Sequence, residues 1–189
     1  MQLRNLISKS IFMYILIPVA GAAIVSALLF NLLLTPVFID YFTRMSTEDL
    51  KLATAIGLER CEENFLDLLS LRLSDDQMMM ETMYQESLRG ITQIHEQMAS
   101  VHMLAVSSSG RVDASTFPDF PTGSEFLLPD VPDDVVREIQ IDRQKILYNS
   151  AYFPFWRVHI VAVVPLKFIS APVQLMQQGL LLALVAISF

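Results

Sequence analysis

Two long stretches without charge stand at the two ends of the chain. Ser10–Ile39 has thirty residues with no charged side chain, and a helix needs about 20 apolar residues to cross the hydrocarbon core of a membrane. Phe168–Phe189 is also free of charge. The pattern predicts one transmembrane helix over each stretch. Arg4 and Lys9, which precede the first, favour a cytoplasmic N-terminus.

Each stretch has a second interpretation. Ile11–Val19 followed by Ala20-Gly21-Ala22 is similar to a cleaved signal peptide, but the apolar run continues to Leu34, which favours an uncleaved span. The dense part of the second stretch, Gly179–Phe189, covers only about 16 Å of the roughly 30 Å needed. We therefore expect a truncated second span and a chain that is the front part of a longer protein. The alternative is an amphipathic helix lying at the membrane interface.

Between these stretches the apolar positions first follow a helical period. Thr47–Leu73 carries apolar residues three and four positions apart, and no turn signal separates it from the first span, so we expect one nearly continuous rod. Ser74-Asp75-Asp76-Gln77 has the form of an N-cap and predicts a second helix up to about Ser100. The apolar stripe of that helix consists of Met80, Tyr84, Leu88, Ile91, His95 and Met98.

The period then changes to that of β-strands. Val101–Val106 and Arg111–Thr116 flank a serine-rich turn and predict a hairpin. Asp133–Gln140 is interpreted as a short helix, and two further strands are predicted at Gln144–Phe153 and Arg157–Leu166. The predicted fold class is α+β, with a long N-terminal helix continuous with a transmembrane span, a second helix, a small antiparallel sheet and a second transmembrane helix. The predicted domains are 1–39, 40–167 and 168–189.

Composition narrows the classes of function. Of the 189 residues, 17% are charged and 53% hydrophobic, against about 25% and 45–50% in soluble proteins. All twenty acidic residues lie in Asp40–Lys167, which argues against a nucleic-acid partner. The single cysteine excludes a disulfide within one chain. No catalytic or cofactor motif is present, so we expect no enzyme activity in this segment, no cofactor and no metal.

The order of these elements, with two local sequences, resembles the Cache-type (PAS-like) extracytoplasmic sensor domains of bacterial receptors. Ser107-Ser108-Ser109-Gly110-Arg111-Val112 with Ser115-Thr116 is similar to the family's hairpin, although serine replaces the usual acidic residue before the turn. The segment from Phe155 to Val161, followed by Val164-Pro165-Leu166, is similar to the family's closing strand. The resemblance covers roughly residues 38–172 and suits a single Cache module.

The resemblance implies a sensory input region. A small ligand would bind to the domain 40–167 on the periplasmic or extracellular side of the bacterial cell membrane. Helix motion would carry the signal to a cytoplasmic histidine kinase, chemotaxis or cyclic-dinucleotide module. We expect a homodimer through the long helix. The alternative from another class is a membrane-tethered scaffold or protein-binding adaptor without output.

Strand alternation suggests the ligand site. Polar and aromatic side chains project from the two otherwise apolar last strands. If their faces coincide, Arg157 could bind a carboxylate in a bidentate manner, and the tyrosines could form apolar walls. The predicted ligand-binding residues are Tyr148, Ser150, Tyr152, Trp156, Arg157 and His159.

The histidines, the acidic loop, the methionines and the cysteine favour structural interpretations over functional ones. His95, His102 and His159 lack metal-ligand spacing. An acidic run could bind divalent cations, although such a loop is more often only solvated; its members are Asp119, Glu125, Asp130, Asp133 and Asp134. The methionine run at Met78–Met80 fits gap-filling in a core. Cys61 could crosslink two chains, but a buried free thiol is the commoner case.

Overall fold

The computed structural model describes residues 14, 17–19, 21–22, 24–26, 29–73, 75–128, 135–141 and 144–187. The chain divides into two compact units, Arg44–Phe168 and Met1–Thr43 with Ile169–Phe189. The first unit contains the sheet and the residues from which a site can be built.

Three α-helices have bounds within the described residues: α1, Thr35–Ser70; α2, Gln77–Gln97; and α3, Leu166–Ile187. The described residues between 14 and 29 are helical as well. A π-helical turn, Phe30–Leu34, directly precedes α1. Helix α1 begins at Thr35 rather than at Thr47, as expected where no turn signal interrupts the pattern. Asp76, and not Ser74, caps α2, because its Oδ1 atom accepts hydrogen bonds from the amides of Met78 and Met79 at 2.9 and 3.2 Å. Ser74 itself lies outside the described residues.

The predicted fold class is wrong in its two transmembrane helices. Within the part of the chain that the structure describes, no helix combines the length and the apolar character that a membrane span requires. Polar groups account for part of this result, since α1 carries Asp40 and Arg44 and α3 carries Lys167 and Gln174. Much of the predicted first span, including residues 10–13, lies outside the described residues.

Five antiparallel strands form one sheet in the order β2-β1-β5-β4-β3. The strands are β1, His102–Ser107; β2, Val112–Ser115; β3, Arg137–Ile141; β4, Gln144–Phe153; and β5, Val158–Pro165. The prediction of a short helix over Asp133–Gln140 is wrong, because Arg137–Ile141 form strand β3. The alternating exposure of β3 and its pairing with β4 outweigh the local helical signal. Residues 133 and 134 lie outside the described residues.

The two faces of the sheet pack against different partners. On the helix face, Ile160 and Met103 approach Gly57 of α1 and Ile94 of α2. On the opposite face, which we call the loop face, the segment after β2 covers a buried apolar cluster. The cluster consists of Leu104, Val106, Val112, Phe117, Phe126, Ile146, Tyr148, Val161 and Val163. The loop face is therefore the side on which a covered cavity can form.

Candidate functional site

A cleft opens at one end of the loop face, beside the start of β4. Its volume is about 250 Å³, and its lining combines aromatic and aliphatic side chains with one carboxylate and one amide. We call it the Asp119 cleft. The lining residues are Phe117, Asp119, Phe120, Ile141, Gln144 and Ile146.

Local structure explains how these side chains come together. Phe117 follows β2 and is turned inward, its amide donating to Ser115 Oγ at 2.9 Å and its ring buried. A tight turn follows, in which the Phe120 amide donates to the Phe117 carbonyl, and this turn places Asp119 at the rim. Ile141 and Gln144 are directly paired where β3 and β4 meet. The cleft thus lies between a turn and a strand junction.

The polar groups of the Asp119 cleft have unequal surroundings. Asp119 is exposed, so its carboxylate stays hydrated when the cleft holds no ligand. The Nε2 atom of Gln144 is buried and has no hydrogen-bond partner among the described residues, which do not include residues 142 and 143. A buried donor without a partner costs about 1–3 kcal/mol, and an acceptor on a ligand would remove that cost. The cleft therefore offers a negative charge, an amide donor and an apolar wall to one small molecule.

A second, smaller cleft of about 170 Å³ lies on the loop face near the hairpin turn. Ser107, Ser108, Ser109 and Gly110 form its rim, together with Phe126–Leu128, and His159 contributes from β5. Ser107 Oγ is already engaged, because it lies 2.9 Å from Ser109 Oγ and donates to the Arg111 carbonyl at 3.1 Å. These hydroxyls thus hold the turn, which leaves the Asp119 cleft as the better ligand site.

Four of the six residues predicted to bind ligand share the loop face. Strand register places Tyr148 opposite Val163, Ser150 opposite Val161 and Tyr152 opposite His159. The rings of Tyr152 and His159 lie 4.7 Å apart, beside the second cleft. Tyr148 is only 3% exposed, and burial raises the pKa of its phenol. The two strand faces coincide, as the prediction required.

The other two predicted residues lie elsewhere. Trp156 belongs to the turn after β4 and packs against Phe65, Tyr84 and Phe153 at ring distances of 5.0–6.4 Å. Because Phe65 and Tyr84 belong to α1 and α2, Trp156 stands on the helix side. Arg157 is exposed in the same turn with φ +53. The structure therefore separates Trp156 from the four residues of the loop face and leaves Arg157 exposed in the turn.

The remaining candidates separate in the structure. Within the described residues, no group of three or more metal-ligating side chains is close enough to hold an ion; Asp130, Asp133 and Asp134 lie outside them. Cys61 is fully buried, and burial, with the nearby Glu62 charge, raises the pKa of its thiol to about 12. Burial removes this thiol from the surface at which a partner chain could be crosslinked.

Sequence reasoning missed two arrangements. Asp119 had been considered only as a cation ligand of an acidic loop, and Gln144 only as the first residue of a strand. Asp119 and Gln144 share a cleft only because Phe117 and Phe120 pack beside them. No residue spacing in the sequence predicts this packing. The second arrangement is the contact between His95 and His102, whose rings stack at 4.7 Å although seven positions separate them.

Comparisons with known proteins add partial similarity to solved structures. No protein-family model and no curated protein matches the chain. Among solved structures, part of the chain overlaps with the ligand-binding domain of Mlp24, solved with asparagine, at 20% sequence identity and a TM-score of 0.36. The overlap covers 47% of this chain and 38% of that chain. Because this TM-score is lower than that of a shared fold, nothing about the ligand of this chain follows from the overlap.

Proposed function

We propose that the unit 44–168 is the sensory ligand-binding domain of a bacterial receptor and that it binds a small organic cation in the Asp119 cleft. The observation that carries this proposal is a cleft with an aromatic wall, a carboxylate at its rim and a buried amide donor that has no partner in the described part of the chain. Apolar pockets with a few convergent polar groups are the usual form of a small-molecule site. The resemblance to Cache domains supports the sensory role.

The chemistry of the cleft favours an ammonium group over a carboxylate. Asp119 would attract a cation and repel an anion, while Phe117 and Phe120 would cover an apolar body. A ligand that carries an acceptor beside its ammonium group would also take a hydrogen bond from Gln144 Nε2. The carboxylate ligand predicted from Arg157 is therefore not the one we propose, since that guanidinium is exposed in a turn away from the cleft.

Sensing requires that the ligand prefer one arrangement of the domain over another. The turn that carries Asp119 begins at Thr116, and Thr116 is bound to Met103 of β1 through both its amide and its hydroxyl. A ligand that draws this turn towards Gln144 would alter the packing of the loop on the sheet. The kind of output, whether a histidine kinase, a chemotaxis protein or a cyclic-dinucleotide enzyme, is proposed from the resemblance alone.

Thermal denaturation of the 189-residue chain with three probes of matched size tests the site. The probes are phenethylammonium, 2-phenylethanol and 3-phenylpropanoate. Saturation at about one hundred times the dissociation constant adds about 2.7 kcal/mol, which raises the melting temperature by roughly 5–10 °C in a domain of this size. We expect such a rise with phenethylammonium, less with the alcohol and none with the carboxylate.

Two variants locate the effect. Asp119→Asn keeps the shape of the side chain but removes its charge, and we expect it to abolish the preference for the ammonium probe. Glu62→Gln removes a charge from the exposed side of α1 and serves as the matched control, with unchanged binding. Stabilisation by the carboxylate probe, or equal binding by wild type and Asp119→Asn, would contradict the proposal.

We also propose that two chains pair through α1. Met45, Leu52 and Leu66 lie on one line of seven-residue steps along this helix, 45, 52, 59 and 66, and are 50%, 55% and 61% exposed. This is the spacing of one line in a coiled-coil seam. Glu59 occupies the remaining position of the line, between Leu52 and Leu66. Its charge would oppose its counterpart in a parallel pair and weaken the association.

Cysteine crosslinking tests this pairing. In a Cys61→Ala background, Leu52→Cys is expected to form a disulfide between two chains under mild oxidation. Gln85→Cys, on the exposed side of α2, is the control and should stay monomeric on a non-reducing gel. Equal crosslinking of the two variants would refute a seam along α1.

Location and catalysis are proposed from the resemblance. Cache domains stand outside the cytoplasm, so we place residues 40–167 on the periplasmic or extracellular side. We propose no catalytic role for this segment, because its sequence contains no nucleophile and base in a known arrangement.

A further inference from the structure

Two histidines stack face to face where α2 ends and the sheet begins. His95 lies in the last turn of α2, and His102 is the first residue of β1. Their ring centroids are 4.7 Å apart, and the ring planes differ by 24°. Both side chains are half-buried. The tight connection between the helix and the strand brings them together.

Hydrogen bonds determine which atom of each ring can take up a proton. His95 Nδ1 lies 2.7 Å from the carbonyl oxygen of Val101, and His102 Nδ1 lies 3.0 Å from that of Thr116. A carbonyl oxygen only accepts, so each Nδ1 carries a proton and donates it. A further proton must therefore add to Nε2, which turns the ring into a cation. Two stacked cations repel each other, so a positive charge on the ring of His95 opposes a positive charge on the ring of His102.

The charged groups facing His102 come from three elements. They are His95 on α2, Lys167 at the start of α3 and Asp119 on the loop. Burial, His95 and Lys167 lower the pKa of His102, while the Thr116 carbonyl and Asp119 raise it, and the balance is a lowered pKa. His102 is consequently neutral near pH 7 and takes up a proton at a lower pH than an ordinary histidine does.

The stack is connected to the Asp119 cleft through an aromatic ring. The ring of Phe117, which lines the cleft, lies 5.0 Å from that of His102. His102 also holds the carbonyl of Thr116, the residue immediately before Phe117. A positive charge on His102 would thus attract the Asp119 carboxylate, which is also the group that would attract a ligand cation.

We propose that the His95–His102 stack is a proton-binding site that opposes the binding of cations in the Asp119 cleft. The second half of this statement rests on the proposed function of the cleft. Linkage makes the effect reciprocal: a proton on the stack weakens the binding of the cation, and a bound cation weakens the binding of the proton. The domain would then report its ligand more strongly at neutral than at acidic pH.

Nuclear magnetic resonance of the histidine ring protons tests the proton site without any ligand. In the wild-type chain we expect His102 to titrate below the ordinary value of about 6.5. His95→Asn keeps a donor at the Nδ1 position but removes the neighbouring charge, and it should raise the His102 midpoint by about half a pH unit or more. Glu62→Gln, which removes a charge from the exposed side of α1, is the control and should leave it unchanged. A wild-type His102 midpoint at 6.5 or above, or no response to His95→Asn, overturns the proton site.

Calorimetric titration with phenethylammonium tests the linkage. The ammonium of this probe stays charged between pH 5 and 8, as a lysine side chain does. We expect the affinity to fall roughly fivefold on acidification from pH 8 to 5, at the lower end of common coupling between sites. His102→Asn should abolish most of this fall, and Glu62→Gln, the control on the exposed side of α1, should keep it.

The outcomes separate this inference from the proposed function. Binding that is present but independent of pH, or equally dependent on pH in His102→Asn, overturns the linkage and leaves the cleft as a ligand site. Absence of binding at every pH overturns the assignment of the cleft and the linkage with it. The ring-proton titration still decides the proton site in that case.

Discussion

At the scale of single residues, two arginines occupy backbone conformations that usually belong to glycine. Arg72 has φ +57 and follows α1, where the Leu73 amide donates to the Leu68 carbonyl and the Arg72 amide to that of Leu69. This is the Schellman pattern of helix ends. Arg157 has φ +53, and its carbonyl accepts from the Ser108 amide at 2.9 Å. Hydrogen bonds of the surrounding turns thus hold both residues in a strained region.

Arg157→Gly is expected to stabilise the protein. A left-handed conformation costs a residue with a side chain about 1–2 kcal/mol, and glycine avoids this cost. Glycine in turn loses more conformational freedom on folding, which offsets about 0.5–1 kcal/mol of the gain. We expect a net gain of about 0.5 kcal/mol in the free energy of unfolding, measured in urea. Arg89→Gly, in the middle of α2, is the control and should lose about 1 kcal/mol. Destabilisation by Arg157→Gly would show that the guanidinium contributes to stability in a way the turn geometry does not reveal.

At the scale of elements, a glycine sets the distance between α1 and the sheet. A Cβ atom at Gly57 would lie 2.7 Å from Cγ2 of Ile160 on β5, closer than van der Waals contact allows. At Gly90 of α2, the nearest atom would be Cγ of Arg60 at 3.9 Å, an ordinary contact. Close packing against β5 therefore requires a glycine at position 57, whereas position 90 has room for a larger side chain.

Alanine at these two positions should have opposite effects. Alanine favours a helix over glycine by about 1 kcal/mol, so Gly90→Ala is expected to stabilise by roughly that amount. Gly57→Ala forces Ile160 to move, and overpacking of a core costs about 1–3 kcal/mol, so a net destabilisation is expected. Urea denaturation of both variants measures the difference. A stabilised Gly57→Ala would mean that α1 can move away from β5 at little cost.

At the scale of the whole molecule, burial of two weak acids limits stability at high pH. Burial raises the pKa of Cys61 from 9.0 to about 12. The phenol of Tyr84 also has a raised pKa, through burial and through its hydrogen bond to Asp113 Oδ2 at 2.7 Å. Both groups stay protonated in the folded chain and ionise more readily in the unfolded one. Their contribution is complete below pH 9 and is lost as the pH rises further.

Urea unfolding at pH 8 and pH 9.5 checks this expectation. The Cys61 thiol alone should lower the free energy of unfolding by about 1 kcal/mol at pH 9.5. Cys61→Ala loses core packing and is less stable at both pH values, but its decline with pH should be smaller by about the same amount. An unchanged pH dependence in this variant would show that the thiol does not contribute to it.

Periodicity was sufficient for the elements that have a clear pattern of their own. The strands β4 and β5 lie where alternation placed them, and the apolar positions Leu50, Gly57, Cys61 and Leu68 of α1 are buried. Periodicity was insufficient at Arg137–Ile141, where pairing with β4 decided between strand and helix. The two membrane spans were inferred from lack of charge, and no described helix meets the requirements for a span.

The sequence by itself determined the order of helices and strands from α1 to β5 apart from β3, because hydrophobic period is a local property that reports which side of an element is buried. It also determined that the faces bearing Tyr152 and His159 could coincide. Only the tertiary structure decided that Asp119 and Gln144 share a cleft, that Trp156 packs on the helix side, and that His95 stacks on His102. Each of these contacts joins residues from different elements, and distances between elements depend on packing in three dimensions, which the order of residues in one element does not contain.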